Sequence, residues 1–146
     1  MNAETISTAP NRIALEDRFA IHELVALYGH IVDDRDPLRK PGELFTEDVQ
    51  LDMRPLGGNL MTGLPAVERQ WADPGRPQRV MHQTGNIVLT PRDADAVDYI
   101  FKGIGVGASG RVGSAHYSGH VARTGQGWRF ATMTCKPMLL PKREAP

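Results

Sequence analysis

Cysteine is almost missing from this 146-residue chain: Cys135 stands alone. A lone thiol closes no internal disulfide and builds no Cys-x-x-Cys metal site, and nothing beside it marks it as a nucleophile. Net charge is missing as well, with 17 Lys+Arg against 17 Asp+Glu. Without a basic excess there is no electrostatic footprint for nucleic acid or for an anionic membrane surface. No apolar run approaches the length of about 20 residues that a spanning helix needs. The opening MNAETISTAP is polar and acidic, with no basic segment leading into an apolar one, so it lacks the pattern of a secretory signal. The expectation is a cytoplasmic protein that handles neither nucleic acid nor membrane.

What is present is the length of one ordinary domain, spanning 1–146, and a pattern that changes from helical to extended. Residues 1–11 carry no periodicity and are expected to form a loose arm. From Ile13 onward, Leu15, Phe19, Leu24, Leu27, Tyr28 and Ile31 recur mostly three to five apart, which predicts one long helix with an apolar stripe. Pro37 ends it by pushing Asp36 out of the helical region. The stretch GELFTEDVQLDM predicts a helical turn to about Phe45 and a strand through Val49, Leu51 and Met53. RPLGGNL reads as a loop. In GLPAVERQWAD, Pro65 suits a first helical turn and Val67 and Trp71 lie four apart, so a short second helix follows. Beyond PGRPQR the chain is extended, with strands at 81–90, 93–106, 112–124 and 127–138, and TGQG makes the last two a hairpin. Helices first and antiparallel strands after them give an α+β class, with helices packed on one face of a curved sheet.

Gly105, Gly107 and Gly110 spell G-x-G-x-x-G, yet they lead from one strand into another rather than into a helix, and Phe130 stands where an acid would be needed. That motif is a decoy. The alternation of Gly103, Gly105 and Gly107 is more informative, because it leaves one face of a strand without side chains, which either bends a sheet or leaves room for a ligand. In VMHQTGN, alternation puts His82 and Thr84 on one strand face and Met81 and Gln83 on the other. His82 is a candidate general base, since imidazole alone has an ordinary pKa near neutrality; the competing reading is a satisfied histidine of the core or surface.

ALYGHIVDDRD sets Asp33, Asp34 and Asp36 at a helix end, where the macrodipole disfavours carboxylates by about 0.3–1 kcal/mol each. Asp34 and Asp36 read as a solvated face. Asp33 differs, because Gly29 and Ala26 lie four and seven positions back and would let another segment approach closely. A carboxylate there could hold one nitrogen of an imidazole and stabilise the imidazolium. His22 and His30 share roughly one helical face but come with no H-E-x-x-H and no third ligand, so no metal is expected. In SAHYSGH, His116, Ser118 and His120 share one strand face and Tyr117 takes the other; which of the two is concave, alternation does not say. Cys135 is expected to be inert, and Lys136 is as ambiguous as His116.

Four features in order carry a resemblance: Tyr28 and Asp33 as Y-x4-D on the first helix, ELFTEDVQLDM after it, His82 and Asn86 as H-x3-N opening a strand, and GWRF in a final hairpin. From about Ile13 to Met138 the chain resembles the nuclear transport factor 2-like superfamily, in the SnoaL-like branch of scytalone dehydratase, bile acid 7α-dehydratase and lindane dehydrochlorinase. The resemblance implies a cone-shaped barrel, in which a curved mixed or antiparallel sheet wraps a long N-terminal helix around an apolar pocket. It also implies a His-Asp dyad working without metal or organic cofactor. Residue by residue, His82 matches the base, Asp33 its orienting carboxylate and Tyr28 a tyrosine that hydrogen-bonds the substrate. His116 and Ser118 are candidates to assist, and together with Met53 and Trp71 to bind the substrate. Three departures stand out: GIGVG replaces a second histidine of the middle strand, Leu51 and Met53 flank the place of a first-strand tyrosine, and Thr134, Cys135 and Lys136 stand where some relatives have an arginine on the last strand.

The function so implied is a lyase eliminating water, or a related group, from a small apolar cyclic or aromatic hydroxylated molecule. A double-bond isomerase, a polyketide cyclase or a non-catalytic module for ligand binding or assembly are the alternatives. A homo-oligomer is implied too, a trimer as in the dehydratases or a dimer as elsewhere.

Overall fold

The long helix forms as read. In a computed structural model, which describes residues 12–33, 41–76 and 79–138, α1 spans Leu15–Asp33 and buries Ile21, Leu24, Val25, Tyr28, Ile31 and Val32. Leu15 and Phe19 do not belong to that stripe: they are 63% and 64% exposed. At about 100° per residue they fall on the opposite side of the helix from Tyr28, although their spacing from each other is helical. The loose arm of 1–11 and the acids Asp34 and Asp36, with Pro37, lie outside the described residues.

After a single 3-10 turn at Pro41–Glu43, β1 (Phe45–Asp52) begins. Met53 lies just past its end, and a second 3-10 turn covers Arg54–Leu56. The stretch expected to be loop also holds a short strand, β2 (Leu60–Thr62), paired antiparallel to the end of β1. Three residues at a sheet edge are too few for alternation to be visible. Then come α2 (Leu64–Ala72), β3 (Arg79–Pro91), β4 (Ala96–Gly107), β5 (Val112–Thr124) and β6 (Gly127–Pro137). Gly127, with φ of 99°, turns the chain into the expected last hairpin.

The sheet order is β2-β1-β6-β5-β4-β3. All neighbours are antiparallel except β1 and β6, which run parallel, so the sheet is mixed. It is curved and unclosed, with β2 and β3 at its edges. Irregularities in β3 between Gly85 and Val88, where Asn86 has φ of 53°, and in β6 between Phe130 and Thr132, opposite His120 and Val121, bend the long strands around α1. On the inner side, the Tyr28 ring makes edge contacts with Phe45, Phe101, Tyr117 and Phe130 at centroid separations of 5.6–6.5 Å. Each such contact adds about 0.5–1.5 kcal/mol beyond the area it buries. Tyr28 therefore anchors the helix to four strands at once.

The start of α1 is tied down by charge. Asp17 in the first turn accepts from both terminal nitrogens of Arg123, at 2.9 and 2.8 Å, and from the Trp128 indole at 2.9 Å. The hydrogen bond from Arg123 holds the Asp17 carboxyl below its ordinary 3.8. A depressed folded pKa contributes stability that is present above the unfolded value and lost as pH falls through the folded one. Asp17→Asn is accordingly expected to melt below wild type at neutral pH. The gap should narrow as the pH is taken below 3.8, which thermal melts followed by circular dichroism would read; a gap independent of pH would remove the ion pair as its cause.

Candidate active site

Asp33 and His82 meet because a glycine lets their elements approach. A Cβ on Gly29 would lie 3.1 Å from the His82 carbonyl oxygen, so β3 passes against a bare patch of α1. Two residues along β3, the Thr84 hydroxyl donates to the Val25 carbonyl of the helix at 3.2 Å. The face of β3 carrying His82 and Thr84 is thus the one turned to α1, while Met81 and Gln83 are exposed on the other.

The Asp33 carboxylate grips His82 twice. One oxygen accepts the His82 backbone N–H at 2.5 Å and the other meets Nδ1 at 2.5 Å. The two side chains are 18% and 11% exposed. Because a carboxylate can only accept, this contact assigns the ring proton to Nδ1 and leaves the lone pair on Nε2. Among the described residues no hydrogen bond reaches Nε2. It borders a cavity of about 500 Å³ lined on its apolar side by Met53, Met61, Trp71 and Tyr117.

Tyr28 also borders this cavity, with its ring buried and its phenol hydrogen-bonded to Tyr117. Burial raises the Tyr28 pKa far above its ordinary value, so the phenol stays a proton donor. Met53 and Trp71 line the cavity, and Trp71 is held from two sides. Its ring meets Phe45 edge-on at 5.7 Å, and the Arg76 guanidinium lies 4.9 Å above it while donating to the Val32 carbonyl at 3.2 Å.

His116 and Ser118 require correction: neither lines the cavity. Tyr117 between them stacks on Phe101 with centroids 4.5 Å apart, so its face of β5 is the concave one and alternation turns His116 and Ser118 to the convex side. Across the convex side His116 pairs with Lys102 and Lys136. The residue that sequence reasoning missed is Tyr117 itself: it shares its face with the buried Ala115 and lies opposite the buried Phe101, a pairing that only the fold supplies. Cys135 is fully buried on β6, and burial pushes its thiol up to about 12, which fits an inert cysteine. Gly105, Gly107 and Gly110 lead from β4 into β5 with no helix behind them, so the decoy reading stands.

Comparison with known proteins gives the chain a family. A sequence model of the SnoaL-like domain matches residues 14–134. The chain belongs to the SnoaL-like family. As such it falls in the nuclear transport factor 2-like superfamily, and solved structures share its fold. One, from Novosphingobium aromaticivorans and provisionally described as an aromatic ring hydroxylase, is 25% identical, with a TM-score of 0.72 over 88% of this chain and 94% of that one. A second from the same organism, provisionally described as a scytalone dehydratase, is 18% identical with a TM-score of 0.68 over 90% and 91%. LinA is 20% identical with a TM-score of 0.73 over 90% and 95%. No curated protein matches the chain. In this SnoaL-like domain both the Asp33–His82 contact and the cavity fall inside the matched span, 14–134. Among the described residues no helix is long and apolar enough to cross a membrane.

Proposed function

We propose that this SnoaL-like protein is a lyase that needs neither metal nor organic cofactor, with His82 as general base and Asp33 as its orienting partner. The observation that carries the reading is the double contact between Asp33 and His82, with Nε2 at the edge of a cavity. Nε2 takes a proton from carbon or hydroxyl, and Asp33 balances the imidazolium that forms. Tyr28, joined to Tyr117, hydrogen-bonds the substrate carbonyl or the departing group, a role its protonated phenol suits. The pocket's Met53, Met61 and Trp71 favour a small apolar cyclic or aromatic hydroxylated substrate. Loss of water is the reaction we assign; the dehydratase and LinA neighbours and the lyases and isomerases of the family support that class.

The test is a metabolite-pool screen by mass spectrometry, comparing wild type with His82→Ala and Asp33→Asn. A mass loss of one water, made by wild type and by neither variant, is expected. A product of unchanged mass would turn the reading to isomerisation, and equal products from all three proteins would remove the pair from the chemistry and leave a binding module. The exposed Met81, Val88, Ile100 and Ile104 on the convex face of β3 and β4 support a homo-oligomer, and the resemblance to the dehydratases puts a trimer before a dimer. Light scattering would report a monomer if that part is wrong.

A further inference from the structure

The glycines of β4 and β5 look alike in sequence but do different things. Gly103 is bare for the sake of the core, since a Cβ there would lie 2.9 Å from the Tyr117 ring. Gly105 is bare beside His82, with the position of its absent Cβ 3.3 Å from Nε2. Gly113 is directly paired with Gly105 across β4 and β5, and a Cβ on it would meet nothing within 4 Å. Both Gly105 and Gly113 line the cavity. The His82 imidazole covers Gly105, and beside it Gly113 leaves an open, flat stretch of β5 peptide planes with the unpartnered nitrogen of an oriented imidazole at its rim.

We propose that the open floor at Gly113 is the seat of a planar ring, which lies flat on β5 beside the imidazole that covers Gly105, with its edge presented to His82 Nε2. The inference rests on the reading above for what His82 does, but not for whether the ring binds. A flat ring can approach bare peptide groups to van der Waals distance over its whole face. A saturated ring of the same skeleton is puckered and carries axial hydrogens, so it touches the floor at a few points only. The floor therefore selects aromatic or conjugated cyclic substrates over saturated ones. It also sets the reacting atom at the ring edge, in the plane where a proton on a ring substituent or an adjacent carbon meets the lone pair of Nε2.

Gly113→Ala separates seat from scaffold. Its methyl group enters space that no protein atom occupies, and alanine suits a strand better than glycine, so the melting temperature should equal or exceed that of wild type. The probes are 2-naphthol and its fully saturated counterpart 2-decalol, titrated by calorimetry into wild type, Gly113→Ala, Gly113→Val, His82→Ala and, as a methyl-addition control in the β5–β6 turn, Gly125→Ala. Wild type should bind the naphthol at least tenfold more tightly than the decalol. Gly113→Ala should lose most of that preference, Gly113→Val all of it, and His82→Ala and Gly125→Ala should keep it. Equal binding of the two probes by wild type, binding of neither, or an unchanged preference in both Gly113 variants would overturn the seat. The His82→Ala arm keeps the two ideas apart: if the base assignment fails in the metabolite screen, the preference and its loss at Gly113 still decide the seat.

Discussion

Asp33→Asn is expected to lower turnover by about 10²–10⁴-fold, the range general-base catalysis supplies, while leaving the fold intact. The reason lies in what the second oxygen of Asp33 does. It holds the His82 backbone N–H, a donor with no tautomeric freedom. In the asparagine variant the single amide oxygen must stay with that N–H, since turning it would set the amide NH2 against another donor. The NH2 group then points at Nδ1, which can meet it only as an acceptor. The ring proton moves to Nε2, and the nitrogen facing the cavity becomes a donor instead of a base. His82→Ala should cost as much, because it removes the lone pair outright. The two variants differ in a way a structural role would not produce: ¹⁵N spectra of the His82 ring should show the proton on Nδ1 in wild type and on Nε2 in Asp33→Asn. Retention of the Nδ1–H form with full loss of activity would mean that Asp33 acts by charge rather than by setting the tautomer. Full activity in Asp33→Asn would sink the assignment.

Gly119→Ala carries the largest expected loss of stability, about 2–4 kcal/mol. A Cβ at Gly119 would lie 2.0 Å from the Thr132 carbonyl oxygen on β6, so one of the strands has to move. Thr132 is poorly placed to do so. Its carbonyl accepts from the Tyr99 hydroxyl at 2.8 Å, and its own hydroxyl accepts the His120 backbone N–H at 3.1 Å and meets the His120 ring at 3.0 Å. Withdrawing the carbonyl strands a buried phenol, itself worth about 1–3 kcal/mol. A drop in melting temperature of the order of 10 °C follows for a chain of this size, measured by calorimetry beside Gly113→Ala, which should show none. An unchanged melting temperature would mean that β5 and β6 can part there at no cost.

These glycines show where reading a sequence stops. Gly103, Gly105, Gly113 and Gly119 are indistinguishable as letters on alternating strands, and each is required, or free, for the sake of an atom distant in the chain: a Tyr117 ring, a His82 nitrogen, open space, a Thr132 carbonyl. The same limit governs the site. That Asp33 needed a reason at a helix end, and that Gly29 would admit a neighbour, were legible from local rules. That the neighbour is His82, 49 residues away, came from resemblance and is a contact in the fold. His116 and Tyr117 show the converse, since alternation separated them correctly onto two faces and could not say which face was inside.

What the sequence determined by itself was one-dimensional: the order of the helices and the longer strands, and the phase of side chains along each strand. Those are properties of neighbouring residues, and the periods of about 3.6 and 2 encode them directly. Only the tertiary structure decided which face of the sheet meets α1, and therefore that Tyr117 rather than His116 borders the cavity, that Leu15 and Phe19 stay outside the core, and that Asp33 reaches His82. The physical reason is that periodicity defines two faces of equal standing, and the choice between them is made by burial against an element whose position depends on the whole chain.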